Sequence, residues 1–324
     1  MNAVASNELQ GAERAEAGRA LGYEMAMMGM GLGNGMPVEV SEGYAEGRHA
    51  KRRGKGSASV FERKLMRLKI SAWKRGRYVD DAVTAEFLEA VACSHCPIKR
   101  VAMTSGTGTP TDMTVDRVFN GGAYAVGNIA FMSAAANHAK GSLMPLEIVE
   151  IAKKGENFDG LSAEEWMRLA CLVCQATPPG YPITNLPMFV YPPNGLLISN
   201  GYVVLQQSLT LLAAGFIHPK WNAELRMCAK GKKTKRALDE LLQVLAMTCR
   251  HEVAKARTEH EKEYAMCDSW MAPLVFERYL QLVRALSGEE TSSMLACARR
   301  ANGNYRAMST SDIDRWGLER GGYK

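Results

Sequence analysis

Residues 93–141 read CSHCPIKRVAMTSGTGTPTDMTVDRVFNGGAYAVGNIAFMSAAANHAKG. The stretch opens on a Cys-x-x-Cys pair, Cys93 and Cys96. Thr114-Val115-Asp116-Arg117-Val118 then alternates polar and apolar, as a half-buried strand does. Asn120-Gly121-Gly122 is a turn signal, and Ile129-Ala130-Phe131-Met132 is a short second strand. Ser133 is a helix cap ahead of Ala134-Ala135-Ala136. The local pattern therefore predicts strand, turn, strand, helix, with Asp116 and Asn137 on adjoining elements.

Five signatures follow one another here: Cys-x-x-Cys, Val-Asp-Arg-Val, Gly-Gly-x-Tyr, Gly-Asn-Ile and Asn-x-x-Lys-Gly. In this order and spacing they resemble the HNH nucleases, which cut nucleic acid with a ββα-metal module. The resemblance is strongest to the branch common in phages and prophages, where Asp-Arg replaces Asp-His on the first strand. It covers about fifty of the 324 residues. It implies a metal-dependent endonuclease acting on DNA phosphodiester bonds, with Asp116 and Asn137 as ligands of a divalent cation. Arg117 falls where the family has its general base, and Asn128 where it has the residue that orients that base. Magnesium or manganese suits such oxygen ligands. Lys140, one turn beyond Asn137, is placed to contact a phosphate.

Phosphodiester hydrolysis needs an activated water and stabilisation of charge on the phosphate. A guanidinium stays protonated, so Arg117 cannot be the base at neutral pH; it can clamp a phosphate. His138 is the second-choice base, pointing roughly 100° away from Asn137 on an ideal helix. His95, between the two cysteines, faces either the site or solvent. The alternative is a non-cleaving, nucleic-acid-binding or regulatory protein on the same scaffold.

Many members of the family hold a structural zinc with four cysteines, and the second pair falls here on Ser133 and Ala136. Cys171 and Cys174 can substitute to make a four-thiolate zinc site with Cys93 and Cys96, since closing the long intervening loop costs little extra. The other reading of Cys171 and Cys174 is core packing, because both lie in an apolar helical pattern.

The composition agrees with a globular protein: 47% hydrophobic and 23% charged residues in 324, with a net charge of +6. No run of about twenty apolar residues is present, so no membrane span is expected. The start, MNAVASNELQGAERAEAG, carries Glu and Arg where a signal peptide has an apolar core. Eight cysteines without such a signal suit a reducing cytoplasm. With the resemblance, that means a bacterial or phage-infected host cell.

Outward from the central stretch, the expected fold class is α+β, mostly α, with the ββα-metal module embedded among helices. Residues 1–57 show no sustained periodicity and are expected to be a flexible, disordered arm; within them GMGLGNGMP (29–37) is Gly-rich but lacks the flanks of a phosphate loop. Residues 58–176 are expected to form one domain. It begins with a basic helix capped by Ser59 and Glu62, with Phe61, Leu65, Leu68 and Ala72 on one face. Arg63, Lys64, Arg67, Lys74 and Arg75 lie largely off that face and either track phosphates or are a solvated side. Pro145 and Gly155 frame a helix, and Ser162 with Glu165 caps the next. Residues 177–195 are Pro-rich and read as a linker. Residues 196–324 are expected to be a mainly helical domain, opening with an Asn-Gly hairpin in LLISNGYVV (196–204). The domain carries a stripe of Leu238, Leu241, Leu242 and Leu245 and a second basic patch from Arg226 to Arg236.

Overall fold

A computed structural model describes residues 2–50, 58–176, 201–215, 219–301 and 309–317. The basic run 51–57, the Pro-rich segment 177–195 and residues 196–200 of the expected hairpin lie outside the described residues. The chain is mostly helical with one two-stranded antiparallel sheet. It divides into two compact units: one holds the described residues up to Ala90 with Ala123–Ala125, the other those from Val91 to Gly122 and from Val126 onward. The division thus falls inside the stretch 58–176 expected to be a single domain. Among the described residues no helix is long and apolar enough to cross a membrane.

The first unit overturns the expected flexible arm. Helices α1 (Asn2–Met27) and α2 (Val38–Ala50) occupy it and pack on each other. At its closest points the contact is backbone against backbone. A Cβ at Gly43 would sit 1.8 Å from the Arg19 carbonyl oxygen, and one at Gly22 would sit 1.9 Å from that of Val40. Glycines at the closest approach carry no hydrophobic signal, and the short apolar run Leu21, Met25, Met28 lies only around the end of α1, so most of the segment shows no periodicity.

Helix α3 (Val60–Lys74) begins with the expected capping box: Glu62 N–H donates to Ser59 Oγ at 3.1 Å and Ser59 N–H to Glu62 Oε2 at 2.6 Å. It buries Leu65, Leu68 and Ala72 of the expected face, leaves Phe61 half-buried, and also buries Met66 and Ile70 on a second side. Those two join Met25 and Met30 in a core flanked by Leu21, Met28, Met36 and Tyr44. Helix α4 (Ala85–Val91) follows, with Thr84 Oγ1 accepting from Phe87 N–H at 3.1 Å.

In the second unit, strand β1 (Met113–Arg117) pairs with β2 (Ile129–Ser133), Asp116 opposite Ala130. Helix α5 (Ala134–Lys140) starts at the next residue. Burial along β1 does not alternate: Asp116 and Arg117 are both buried, and all of β2 is. Helix α6 (Pro145–Lys154) starts on its proline and ends at Gly155, whose φ of 67° is left-handed. It packs on α7 (Ala163–Gln175), which opens with the Ser162–Glu165 capping box.

Helices α8 (Gly201–Ala213), α9 (Pro219–Cys228), α10 (Lys232–Lys255), α11 (Glu259–Asp268), α12 (Pro273–Ala285), α13 (Gly288–Ala301) and α14 (Thr310–Arg315) complete the unit. Gly201–Val204 opens α8 and is no hairpin strand; the helix runs on to Ala213 and is buried on most sides, Gln206, Gln207, Ser208 and Thr210 included. Helices α10 and α11 are separate because Thr258 and Glu261 form a new capping box between them. The Leu238, Leu241, Leu242 and Leu245 stripe is buried, as expected.

Candidate functional site

The hairpin and α5 form the site, and local chemistry explains their geometry. Ser133 has extended backbone angles and its hydroxyl accepts from Ala136 N–H. The two preceding helical amides reach back into the loop: Ala134 N–H donates to Asp112 C=O at 2.7 Å and Ala135 N–H to Pro110 C=O at 2.9 Å. The first turn of α5 thus has its free donors met, so a helix of seven residues follows a strand without a linker.

Asp116 stands near the end of β1, 7% exposed. Its Oδ2 lies 2.7 Å from Lys140 Nζ, and Lys140 is completely buried. The approach is off the hydrogen-bonding direction, so Oδ2 has an ion-pair partner but accepts no hydrogen bond. Lys140 also donates to Asn120 Oδ1 at 2.8 Å. Asn120 in turn donates through Nδ2 to the carbonyls of Gly141 (3.1 Å) and Leu143 (2.8 Å), tying the turn to the exit of α5. Burying both charges costs solvation that the close pairing and added hydrogen bonds offset. Lys140 therefore does not face solvent, contrary to its expected contact with a phosphate. Asn120 is a site residue that sequence reasoning saw only as a turn former.

Arg117, 6% exposed, donates from Nη1 to the carbonyls of Asn120 (2.8 Å) and Gly122 (2.9 Å). Its charge is spent holding the turn between the strands, not presented as a phosphate clamp. Asn128 is fully buried and brackets Phe119: Phe119 N–H donates to its Oδ1 at 2.8 Å, and its Nδ2 donates to Phe119 C=O at 3.1 Å. Gly122 passes so near Asn128 that a Cβ there would lie 2.9 Å from Nδ2. Trp316, beyond α14, closes over the same turn, donating to Val126 C=O at 3.2 Å and stacking on Phe119 with ring centres 6.4 Å apart.

Asn137 is half-buried on α5, one turn before Lys140, and His138 is exposed. Among the described residues no hydrogen bond joins either of them to Asp116. His95 pairs with His260, ring centres 4.6 Å apart.

The cysteines separate into two places. Cys96 Sγ accepts from Ser133 Oγ at 3.3 Å and from Lys99 N–H at 3.4 Å, and Cys93 Sγ lies 3.9 Å from Phe131 C=O. Burial, reinforced by the neighbouring Cys96, pushes the Cys93 thiol up to about 12. Cys171 and Cys174 are buried within α7, and burial pushes Cys174 up to about 12 as well. Among the described residues no three His, Cys, Asp or Glu side chains gather as a metal-holding group. Among the described residues the four cysteines are thus not gathered into one cluster: the α7 pair is buried in its helix, and the Ser133 hydroxyl donates to Cys96 Sγ.

The basic residues of α3 belong to the first unit. Arg75 is held by Tyr124, its Nη2 donating to the phenol oxygen at 2.8 Å. Arg67 and Lys74 are exposed, and Arg63 and Lys64 half-buried. In the second unit three of the six cations from Arg226 to Arg236 are ion-paired, Arg226 with Asp239, Lys230 with Glu289 and Arg236 with Glu240, while Lys232, Lys233 and Lys235 are exposed.

Comparison with family models, with curated proteins and with solved structures found no match to this chain.

Proposed function

We propose that the chain is a metal-dependent HNH-type endonuclease that hydrolyses DNA phosphodiester bonds, with its centre at Asp116 and α5. The observation that carries this reading is Asp116 itself. A carboxylate at the end of the first strand is held against the helix that follows the second, and its Oδ2 accepts no hydrogen bond. An ionised group is costly to bury unless something uses its charge. Asp116 and Asn137 offer the oxygen donors that magnesium or manganese prefers, and these two residues would hold the ion. Such an ion, when bound, supplies Lewis-acid stabilisation of charge on the phosphate. The chain's own contribution is positional: Asn128 and Arg117 fix the turn that carries Asn120, and Asn120 with Lys140 fixes Asp116. His138, exposed on α5, is the base this reading assigns.

The second reading is a non-cleaving DNA-binding or regulatory protein on the same scaffold. A specific observation favours it: the Lys140 ammonium already neutralises Asp116, and Arg117 is committed to backbone carbonyls.

The test is nicking of supercoiled DNA with magnesium or manganese by the wild type and by Asp116→Asn. The amide is preferable to alanine because it keeps the size of the side chain and a polar oxygen beside Lys140; circular dichroism checks that the variant is folded before its nicking is compared. The enzyme reading expects wild-type nicking and at least about a hundredfold loss in the variant, the scale of losing a charge-stabilising group. Equal cutting by both proteins would remove Asp116 from the mechanism. DNA binding with no cutting by the wild type in either metal would establish the second reading.

A further inference from the structure

The first unit holds a cavity of about 490 Å³ between the loop joining α1 to α2 and the exposed side of α3. Its floor is thioether: Met25, Met30 and Met36. Its rim is cationic: Arg63, Arg67 and Lys74. These three lie at i, i+4 and i+11, within about 40° of one another around an ideal helix. Arg63 donates from Nη1 to the Ala58 carbonyl, but none of the three has a carboxylate partner among the described residues. Like charges four residues apart repel, so this rim is unfavourable to the protein alone.

Of the three glycines in the wall, Gly29 has a left-handed φ of 71°, but Gly31 and Gly33 have no such reason in the protein itself. A Cβ on Gly31 would meet nothing within 4 Å, and one on Gly33 only the Met36 methyl at an ordinary 3.6 Å. Neither backbone is in the left-handed region that favours glycine. Both line the cavity, so their missing side chains leave its wall open.

We propose that this cavity binds a nucleoside phosphate, its base against the methionines and its phosphate on Arg67, Lys74 and the loop amides. Thioethers make favourable contacts with aromatic rings, guanidinium and ammonium groups pair with phosphate, and the volume is that of small-ligand pockets. The choice of a nucleoside body rests on the nucleic-acid reading above. The same chemistry is offered by a free nucleotide and by the 5′-phosphorylated end of a strand.

The test is calorimetric titration of the full chain carrying Asp116→Asn with AMP, adenosine, inorganic phosphate, dodecyl phosphate and a DNA decamer with or without a 5′-phosphate. AMP is expected to bind at least about tenfold more tightly than adenosine or phosphate alone. Arg67→Ala with Lys74→Ala should weaken it by about tenfold or more, as should Gly31→Val, which fills open space without touching the core. If the phosphorylated decamer binds about tenfold more tightly than AMP, the strand end is the ligand; if AMP equals or exceeds it, the free nucleotide is. Tighter binding of dodecyl phosphate than of AMP would overturn the nucleoside body. Binding unchanged in folded Gly31→Val, or no binding of AMP or decamer at millimolar concentration, would overturn the site. Loss of the pocket and loss of the nuclease reading remain separate results, because nicking by the wild-type chain is measured independently.

Discussion

The two compact units treat charge in opposite ways. In the second, buried charges are matched. Asp116 meets Lys140 and Arg117 meets two carbonyls, while Arg168 and Arg100 share Asp268 at 2.6 Å and 3.0 Å. Glu290 accepts the amides of Lys230 (2.7 Å) and Gly231 (2.9 Å), joining the starts of α10 and α13. In the first unit, helices meet through glycine backbones, and three cations on α3 are left beside a cavity without acidic partners. Matched charges fasten elements to one another; unmatched ones at an open cavity are there for something that is not the protein. The difference separates residues that hold the fold from residues that wait for a ligand.

The largest effect that can test this division is at the buried pair. Lys140→Met leaves Asp116 buried without its counter-charge and should lower unfolding stability by about 3–5 kcal/mol. Chemical denaturation measures this, and adding Asp116→Leu should recover most of the loss. If the single change costs less than about 1 kcal/mol, the pair is not what fastens α5 to the strand.

Gly43→Ala probes the other way of joining elements. Its methyl would collide with the Arg19 carbonyl, so α1 and α2 must separate, costing about 1–3 kcal/mol. Hydrogen exchange should show the loss confined to the first unit; loss of protection at β1 and β2 would contradict two separately packed units.

The smallest effect appears only in acid. Amides of Gly231, Ser287 and Lys230 hold the Glu290 carboxyl at about 2, below its usual range. A carboxyl depressed in the folded state adds stability above its ordinary range, and that stability is lost as pH falls towards 2. The melting temperature of the wild type should therefore drop more steeply between about pH 4.5 and pH 2 than that of Glu290→Gln. Parallel curves would show that the carboxylate is not a stabilising contact.

Local chemistry was readable in the amino acids. The capping boxes at Ser59 and Ser162, the start at Pro145 and stop at Gly155, and the order strand, turn, strand, helix around Asp116 all depend on residues a few positions apart. The folded protein has each of them. Periodicity failed where packing does not use large apolar groups. Gly22 and Gly43 carry no hydrophobic signal, although they set the closest approach in the first unit.

The destination of each charge was decided by tertiary structure alone. Nothing in Asn-x-x-Lys-Gly shows that Lys140 turns inward to Asp116, 24 residues earlier, while Lys74 stays exposed at a cavity rim. A lysine stem reaches either core or solvent, and its environment is set by what covers it: for Lys140 the turn carried by Asn120, for Lys74 open space. Composition and spacing placed the hairpin, its helix and the carboxylate between them. Whether a cation fastens the fold or awaits a ligand depends on partners distant in the chain, and the solvation cost of leaving a charge alone makes that distinction physical.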